Sequence, residues 1–339
     1  MGTGGAAIVR AAIVGAGGFL GAHLVRGFEA RGARALPLVR TVEDRSPAGA
    51  CTFDDAAERP ELLAGVEAMV YVAAVGPRGG AEAAAEARIA NLDLVERAMR
   101  AAAKAGVPRF VLVSSVSVYG FPARLPITED HPYAPRTARA ATLVEAEMRA
   151  RRAVRELALH LVIARPTTVY GPGDRHGPIE AMAAMIRAGT YRVVGSGDNV
   201  LHHTHVDDVV EGVWLAATHP DAAGDHFLLA GPETTTLAGL SELVARAVGR
   251  PLPKRHVPSS LARAVATLVD VAAYRGLAFH TGAPPLVHAK LDGLTLPLCF
   301  DGAKARRVLG FAPRVRYEEG VMRTLRGEWP ALARAGASP

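Results

Sequence analysis

The stretch Ala11–Gly21, AAIVGAGGFLG, limits what this chain can become more than any other. Ile13 and Val14 close an apolar run short enough for a buried strand. Gly15, Gly18 and Gly21 follow at G-x-x-G-x-x-G spacing, and Leu20, Leu24 and Phe28 then recur at helical intervals. Strand, glycine turn and helix in that order make a phosphate cradle. The glycines let the backbone turn tightly and approach a pyrophosphate, which rests on the free N–H groups at the helix N-terminus. Spaced glycines alone mean little in a chain that has 35 of them. Their place between a strand and a helix carries the reading. Gly15, Gly18, Phe19, Leu20 and Gly21 are therefore the expected floor of a dinucleotide site.

Strand-like and helical patterns alternate beyond this point. Ala35–Val39, Cys51–Asp55, Ala68–Ala74, Arg109–Val113 and Leu161–Ala164 read as strands. Between them, helices are predicted over Pro60–Ala64, Glu82–Gly106 and about Ala138–Ala158, with Ile89, Leu92, Val95, Met99 and Ala103 on one stripe of the second. Alternation of this kind means right-handed crossovers and a parallel sheet. The expected fold is α/β, a Rossmann-type doubly wound parallel sheet with a smaller C-terminal α/β substrate domain. The dinucleotide part takes 1–170 plus about 205–225, and the substrate part about 171–204 plus 226–339. In the second half the pattern predicts a helix over Ile179–Ala188, a strand over Tyr191–Val194, a strand-like His202–Val206, and helices over Asp207–Ala217 and Leu237–Val248.

Composition narrows the setting. Cys51 and Cys299 lie far apart with no C-x-x-C pattern, so neither a disulfide framework nor a zinc knuckle is expected, and a cytoplasmic protein fits best. The apolar run Ala11–Val25 lacks the flanks of a signal peptide, and no stretch reaches the roughly 18 apolar residues of a membrane span. The net charge of +6 raises nucleic acid as a partner, but the arginines are scattered. In the densest group, Glu145–Arg149 and Glu147–Arg151 read as i,i+4 pairs on a solvated helix face. No nucleic-acid partner is expected.

Arg40 stands just past the second strand, where the adenosine ribose is met. An arginine there accommodates a 2′-phosphate, so NADP(H) is the expected cofactor, and Asp44 nearby leaves NAD(H) open. His202, His203 and His205 suggest metal ligands at first sight. In an extended segment, however, His203 and His205 share a face while His202 points away, so no metal is expected and the pair is read as substrate contacts. Leu261–Phe279, with only Arg263, Asp270 and Arg275 charged, reads as a lid over an apolar substrate or as ordinary core.

Read together, GAGGFLG, VYVAA (Val70–Ala74), RFVLVSSVSVYG (Arg109–Gly120), ARPTTVYGPGD (Ala164–Asp174), HVDDV (His205–Val209) and FDGAKARRVLGFAPRVRYEEG (Phe300–Gly320) resemble the extended short-chain dehydrogenases/reductases. The likeness is to the NAD-dependent epimerase/dehydratase and 3β-hydroxysteroid dehydrogenase-like group and spans nearly the whole chain. It implies hydride exchange between a nicotinamide and a substrate carbon, assisted by a Ser, a Tyr and a Lys four residues after the Tyr. It further implies that Asp54, Ala73, Ala74, Val75, Ser114, Pro166, Thr167, Thr168 and Val169 border the cofactor. Val116 and Tyr170 then face substrate. A homodimer through Glu82–Ala105 and Ala138–Ala158 is also implied.

The resemblance breaks at one place. Ser115 occupies the Ser position, but Y-x-x-x-K is missing. Placing the family's helix glutamate at Glu147 puts Arg139 at the Tyr position and Leu143 at the Lys position; placing it at Glu145 gives Thr137 and Ala141. The first frame matches both family spacings. Arginine stays protonated, so Arg139 can stabilise an alkoxide but cannot shuttle a proton. Tyr133, in the preceding loop, is a further candidate for that task. The expected activity is an NADP(H)-dependent ketoreductase or dehydrogenase for a hydrophobic polyketide-, terpenoid- or steroid-like alcohol or ketone. The alternative keeps the fold without redox turnover, as an NADP-binding structural or regulatory protein, or an isomerase, cyclase or epimerase.

Overall fold

A strand of small and branched apolar residues followed at once by glycines sets the architecture: β1 (Arg10–Val14) is buried from Ala11 onward. A computed structural model describes residues 10–44, 46–72, 81–252, 256–274 and 288–328. After β1 come α1 (Phe19–Ala30), β2 (Arg34–Val39), β3 (Cys51–Thr52), α2 (Phe53–Glu58), β4 (Ala68–Tyr71) and α3 (Ala81–Lys104). Then follow β5 (Arg109–Val113), α4 (Ala138–Ala153), β6 (His160–Pro166), β7 (Thr168–Tyr170) and α5 (Pro178–Arg187). The chain continues through β8 (Val200–Leu201), β9 (His203–His205), α6 (Val206–Thr218), β10 (His226–Leu229), β11 (Thr235–Thr236) and α7 (Leu237–Val248). It closes with α8 (Ser259–Tyr274), α9 (His288–Thr295), α10 (Ala303–Leu309) and α11 (Tyr317–Arg326).

Seven of the described strands form one parallel sheet in the order β10-β6-β5-β4-β1-β2-β3. Successive residues of each strand serve opposite faces. Ile13, Val111 and Val162 face α1 and α6, where Leu24, Phe28, Val209 and Val213 cover them. Ala12, Val14, Phe110 and Leu112 face α3 and α4, under Val95, Met99, Ala146 and Ala150. Both faces are dry, which is why the strands read as unbroken apolar runs. Strand order reverses between β1 and β4, the position at which sheets of this kind form a ligand crevice at the C-terminal ends of the strands. A separate core joins Tyr170 of β7 to Ile179, Met182, Leu240, Val244, Tyr317 and Val321 from α5, α7 and α11.

Several expectations need correction. Pro60–Leu63 is a 3-10 turn and not an α-helix, and α4 ends at Ala153. Tyr191–Val194 forms no strand; Val194 bridges Val257, and Gly195 with its positive φ turns the chain away. Ile89 is exposed although it lies on the apolar stripe of α3. α8 turns its small residues inward, with Ala262 and Ala266 against Leu291, and leaves Leu261, Val265 and Leu268 exposed. The rest of the predicted 261–279 segment lies outside the described residues. No helix among the described residues is long and apolar enough to cross a membrane, and none of their His, Cys, Asp and Glu side chains group as a metal site.

Candidate active site

The glycine turn after β1 sits in the crevice. Gly15 has a φ of 94°, which excludes a side chain there, and its N–H donates to the Leu38 carbonyl at 2.9 Å. A Cβ at Gly21 would collide with the Gly15 carbonyl oxygen, so α1 lies directly on the turn. Gly18 is the N-cap of α1. It brings no side chain to the first-turn amides, and no acidic residue lies in that turn. Gly17 and Gly18 are exposed, and Phe19 and Leu20 half-buried. Uncapped amides at the positive end of a twelve-residue helix fit a pyrophosphate.

Arg40 is exposed directly after β2, at the expected ribose end of the crevice. Asp54 lies in the first turn of α2 and is paired with Arg97 of α3 at 2.5 Å, so its charge is compensated. Ala73, Ala74 and Val75 lie outside the described residues. On the other side of the crevice Ser114 is buried. Ser115 is half-buried and caps a 3-10 turn over Val116–Tyr119, accepting from the Ser117 N–H at 3.2 Å. Pro166 ends β6. Thr167 is buried with its hydroxyl on Thr204 at 2.7 Å, Thr168 is exposed, and Val169 is half-buried.

The helix expected to carry the proton chemistry does not. Thr137 caps α4 by accepting from the Ala140 N–H at 3.1 Å, and Arg139 stands exposed in the first turn. Leu143, one turn further on, is partly buried against the apolar cluster that holds Val116, Val118 and Tyr119, the residues of the turn that Ser115 caps. Glu147 is fully buried and pairs with Arg165 of β6 through Nε–Oε1 at 3.0 Å and Nη2–Oε2 at 2.5 Å. The Tyr133 hydroxyl donates to Glu147 Oε2 at 2.6 Å and accepts from Arg165 Nη2 at 2.7 Å. Tyr119 accepts from Arg165 Nη1, and the guanidinium lies between the Tyr119 and Tyr133 rings, 5.1 and 5.2 Å from their centres.

Two expectations fall here. Glu147 is no surface partner of Arg151, although Glu145–Arg149 is the expected pair at 2.9 Å. Tyr133 is likewise not a free loop side chain. Its hydroxyl is held at Glu147, eight residues and about 12 Å along the helix axis from Arg139. Burial pushes the Glu147 carboxyl up, but the Arg165 guanidinium outweighs it and holds the carboxyl below the ordinary range. Burial and Glu147 together push the Tyr133 phenol up. Sequence reasoning missed this cluster. Its one local signal was an arginine inside the apolar run LVIARP, since a buried guanidinium demands a buried carboxylate.

The histidines form a seam behind β7. β7 and β9 pair in parallel, and Tyr170, fully buried, stacks on Tyr317 with centres 5.9 Å apart. His205 meets the Tyr170 ring edge-on at 5.3 Å, and His203 tilts against it at 6.4 Å. Tyr170 and His205 therefore face protein and not an open substrate pocket, while Val116 is nearly buried beside Ser115. His205, rather than an aspartate, is the N-cap of α6, because its Nδ1 accepts from the Asp207 N–H at 3.3 Å. That bond requires a neutral ring.

Burial draws both His203 and His205 down to about 4 and pushes Asp208 up to about 6. The histidines add stability above their unfolded value of 6.5, and that share is lost as pH falls through the window to 4. Each contributes up to about 3 kcal/mol, and Asp208, which gains its proton over the same window, opposes one of them by a similar amount. These three groups together are expected to lower the free energy of unfolding by about 3 kcal/mol between pH 7 and pH 4. Urea unfolding of the wild type beside a His203→Phe/His205→Phe variant reads that share, and an equal pH dependence in the two would refute the neutral seam.

A doubly wound parallel sheet with a glycine cradle at its switch point defines a dinucleotide-binding α/β protein. The model of the NAD dependent epimerase/dehydratase family matches residues 11–230, and the chain belongs to that family, within the extended short-chain dehydrogenases/reductases. It is an enzyme of the NAD(P)-dependent oxidoreductase type. It is 30% identical to 2-alkyl-3-oxoalkanoate reductase of Stenotrophomonas maltophilia, over 92% of this chain and 97% of that one. It is 29% identical to the 4-hydroxy-2-methyl-3-oxo-4-farnesyl-3,4-dihydroquinoline-1-oxide ketoreductase of Stigmatella aurantiaca, over 92% and 95%. The UDP-glucose 4-epimerase of Thermotoga maritima, solved with UDP-glucose, superposes with a TM-score of 0.72 over 94% of this chain and 98% of that one. At 21% identity that likeness concerns the fold alone.

Proposed function

We propose that this chain is an NADP(H)-dependent ketoreductase for an apolar ketone, working without the Tyr–Lys pair. Leu143, at the position where the family has a lysine and packed into the apolar cluster that holds the turn after Ser115, is the observation that carries the reading. Two relatives named for the reduction of ketones on alkyl and farnesyl scaffolds, each matching more than nine-tenths of the chain, support it. Gly15, Gly18, Gly21 and the first-turn amides of α1 hold the pyrophosphate, and Arg40 the 2′-phosphate. When bound, the reduced nicotinamide supplies the hydride. The Ser115 hydroxyl orients the carbonyl, and Arg139 donates hydrogen bonds to the developing alkoxide without giving up a proton. A carbonyl with an internal hydrogen bond brings its own proton. The proposal includes a dinucleotide part of 1–170 plus about 205–225 with the remainder serving substrate. It also includes a homodimer through α3 and α4, where Ile89 and Met148 are exposed.

The missing Tyr and Lys favour a second reading, in which the fold holds the dinucleotide without net redox turnover. Single-turnover NADPH absorbance with a panel of apolar ketones, including 2-alkyl-3-oxoalkanoates, separates the two. The expected result is NADPH consumption with at least one ketone, lowered about a hundredfold in Arg139→Ala. No consumption by any ketone sinks the reductase reading, and an undiminished rate in Arg139→Ala removes that residue from the alkoxide. NADPH is expected to bind more tightly than NADH; equal affinities would overturn the role of Arg40.

A further inference from the structure

We infer that Tyr133 is a latch: its hydroxyl, caught between Arg165 and Glu147, holds the strap 132–139 in place and thereby positions Arg139 and the turn capped by Ser115. The inference rests on the proposed reductase reading for its kinetic consequence, though not for its structural one.

The loop between β5 and α4 is tied down unevenly. Its middle is fastened by backbone, with Ile127 N–H on the Cys299 carbonyl and Asp301 N–H on the Ile127 carbonyl, both at 2.8 Å. Glu129 Oε1 accepts from the Leu228 N–H of β10 at 2.9 Å. After His131 such ties thin out. Pro132, Tyr133, Ala134 and Arg136 are exposed, and the backbone is held by one bond, Ala134 N–H to the Val118 carbonyl at 2.9 Å. The side-chain anchor of this stretch is the Tyr133 hydroxyl, which meets both members of a buried ion pair.

The strap connects directly to the candidate site at both ends. It runs into Thr137, which caps α4, and Arg139 follows two residues later. It also lies on the turn that begins at Ser115. A Cβ at Gly120, whose φ is 63°, would strike the Ala134 carbonyl oxygen, so the two backbones touch. Tyr119 at the end of that turn is bound to the same guanidinium as Tyr133. One cation therefore registers the strap, the Ser115 turn, β6 and α4 against one another.

Stability alone does not explain such a cluster. Apolar residues of similar volume commonly replace a buried ion pair without loss, whereas a ring of directed hydrogen bonds fixes position. Tyr133 is 37% exposed, so losing its hydroxyl leaves the ring in place and the core undisturbed.

Tyr133→Phe in the full chain is the test. Amide hydrogen exchange over 132–140 is expected to quicken about tenfold, with β5 and β6 unchanged and the unfolding midpoint nearly so. With a ketone that the wild type reduces, kcat is expected to fall about tenfold while dinucleotide affinity stays constant. Unchanged exchange over 132–140 overturns the latch even if the wild type is an active reductase. Faster exchange with unchanged kcat overturns the positioning role. Faster exchange in a chain whose wild type reduces no ketone upholds the latch and removes the reductase reading, so the two stand or fall separately.

Discussion

Arg165→Leu is expected to lower the unfolding free energy by about 3–5 kcal/mol. The Glu147 carboxyl, fully buried, loses both guanidinium bonds and its counter-charge in a dry site. The Tyr119 and Tyr133 hydroxyls lose their common donor in the same step. Most of the loss is the penalty of an uncompensated buried charge rather than the net worth of the pair. The double variant Arg165→Leu/Glu147→Leu is therefore expected to recover more than half of it, because no charge is then stranded. Urea denaturation of the two variants beside the wild type reads both numbers. A double variant as unstable as the single would show that packing volume, and not charge, dominates at this site.

Gly18→Asp is expected to abolish dinucleotide binding while leaving the fold intact. At Gly18 the backbone is extended, with φ −82° and ψ 168°, a conformation open to any residue. A Cβ there meets its nearest atom, the Gly15 carbonyl oxygen, at 3.4 Å. An aspartate is also a good N-cap, so it satisfies the amides that the pyrophosphate would otherwise use and adds a like charge against it. A loss of at least about a hundredfold in affinity, or 2.7 kcal/mol, is expected by calorimetric titration, with the melting temperature unchanged or raised. Undiminished binding would place the dinucleotide elsewhere. Gly21→Ala is the contrasting case. There the Cβ strikes the Gly15 carbonyl oxygen, and folding and binding suffer together.

The two variants probe features of very different legibility. The cradle is a local object: a strand, three glycines and a helix between Arg10 and Ala30, each recognisable from its own neighbours. The strands β1, β4 and β5 were equally plain, because a parallel strand covered on both faces is an uninterrupted apolar run. Ser115, Leu143 and Arg139 were assigned by the resemblance to the family; in the structure Ser115 caps a 3-10 turn, and Arg139 and Leu143 lie on α4. The seam was half legible. Strand periodicity set His203 and His205 on one face, but Tyr317, which meets His203 and stacks on Tyr170, lies more than a hundred residues away.

Glu147 marks the boundary. In α4 both flanks are rich in charge, so a period of 3.6 does not distinguish the solvated face from the buried one, and an i,i+4 arginine offered a ready surface partner. The partner it takes, Arg165, sits in a strand that reaches α4 only after the sheet has formed. The doubly wound sheet and the glycine cradle are written in contiguous residues, and against the family's pattern the missing Tyr–Lys pair shows in fixed spacings. Which carboxylate is buried, where Tyr133 is held and which histidines stay neutral come only with the folded chain. Those outcomes depend on desolvation, and desolvation is set by whatever chain folds over the group.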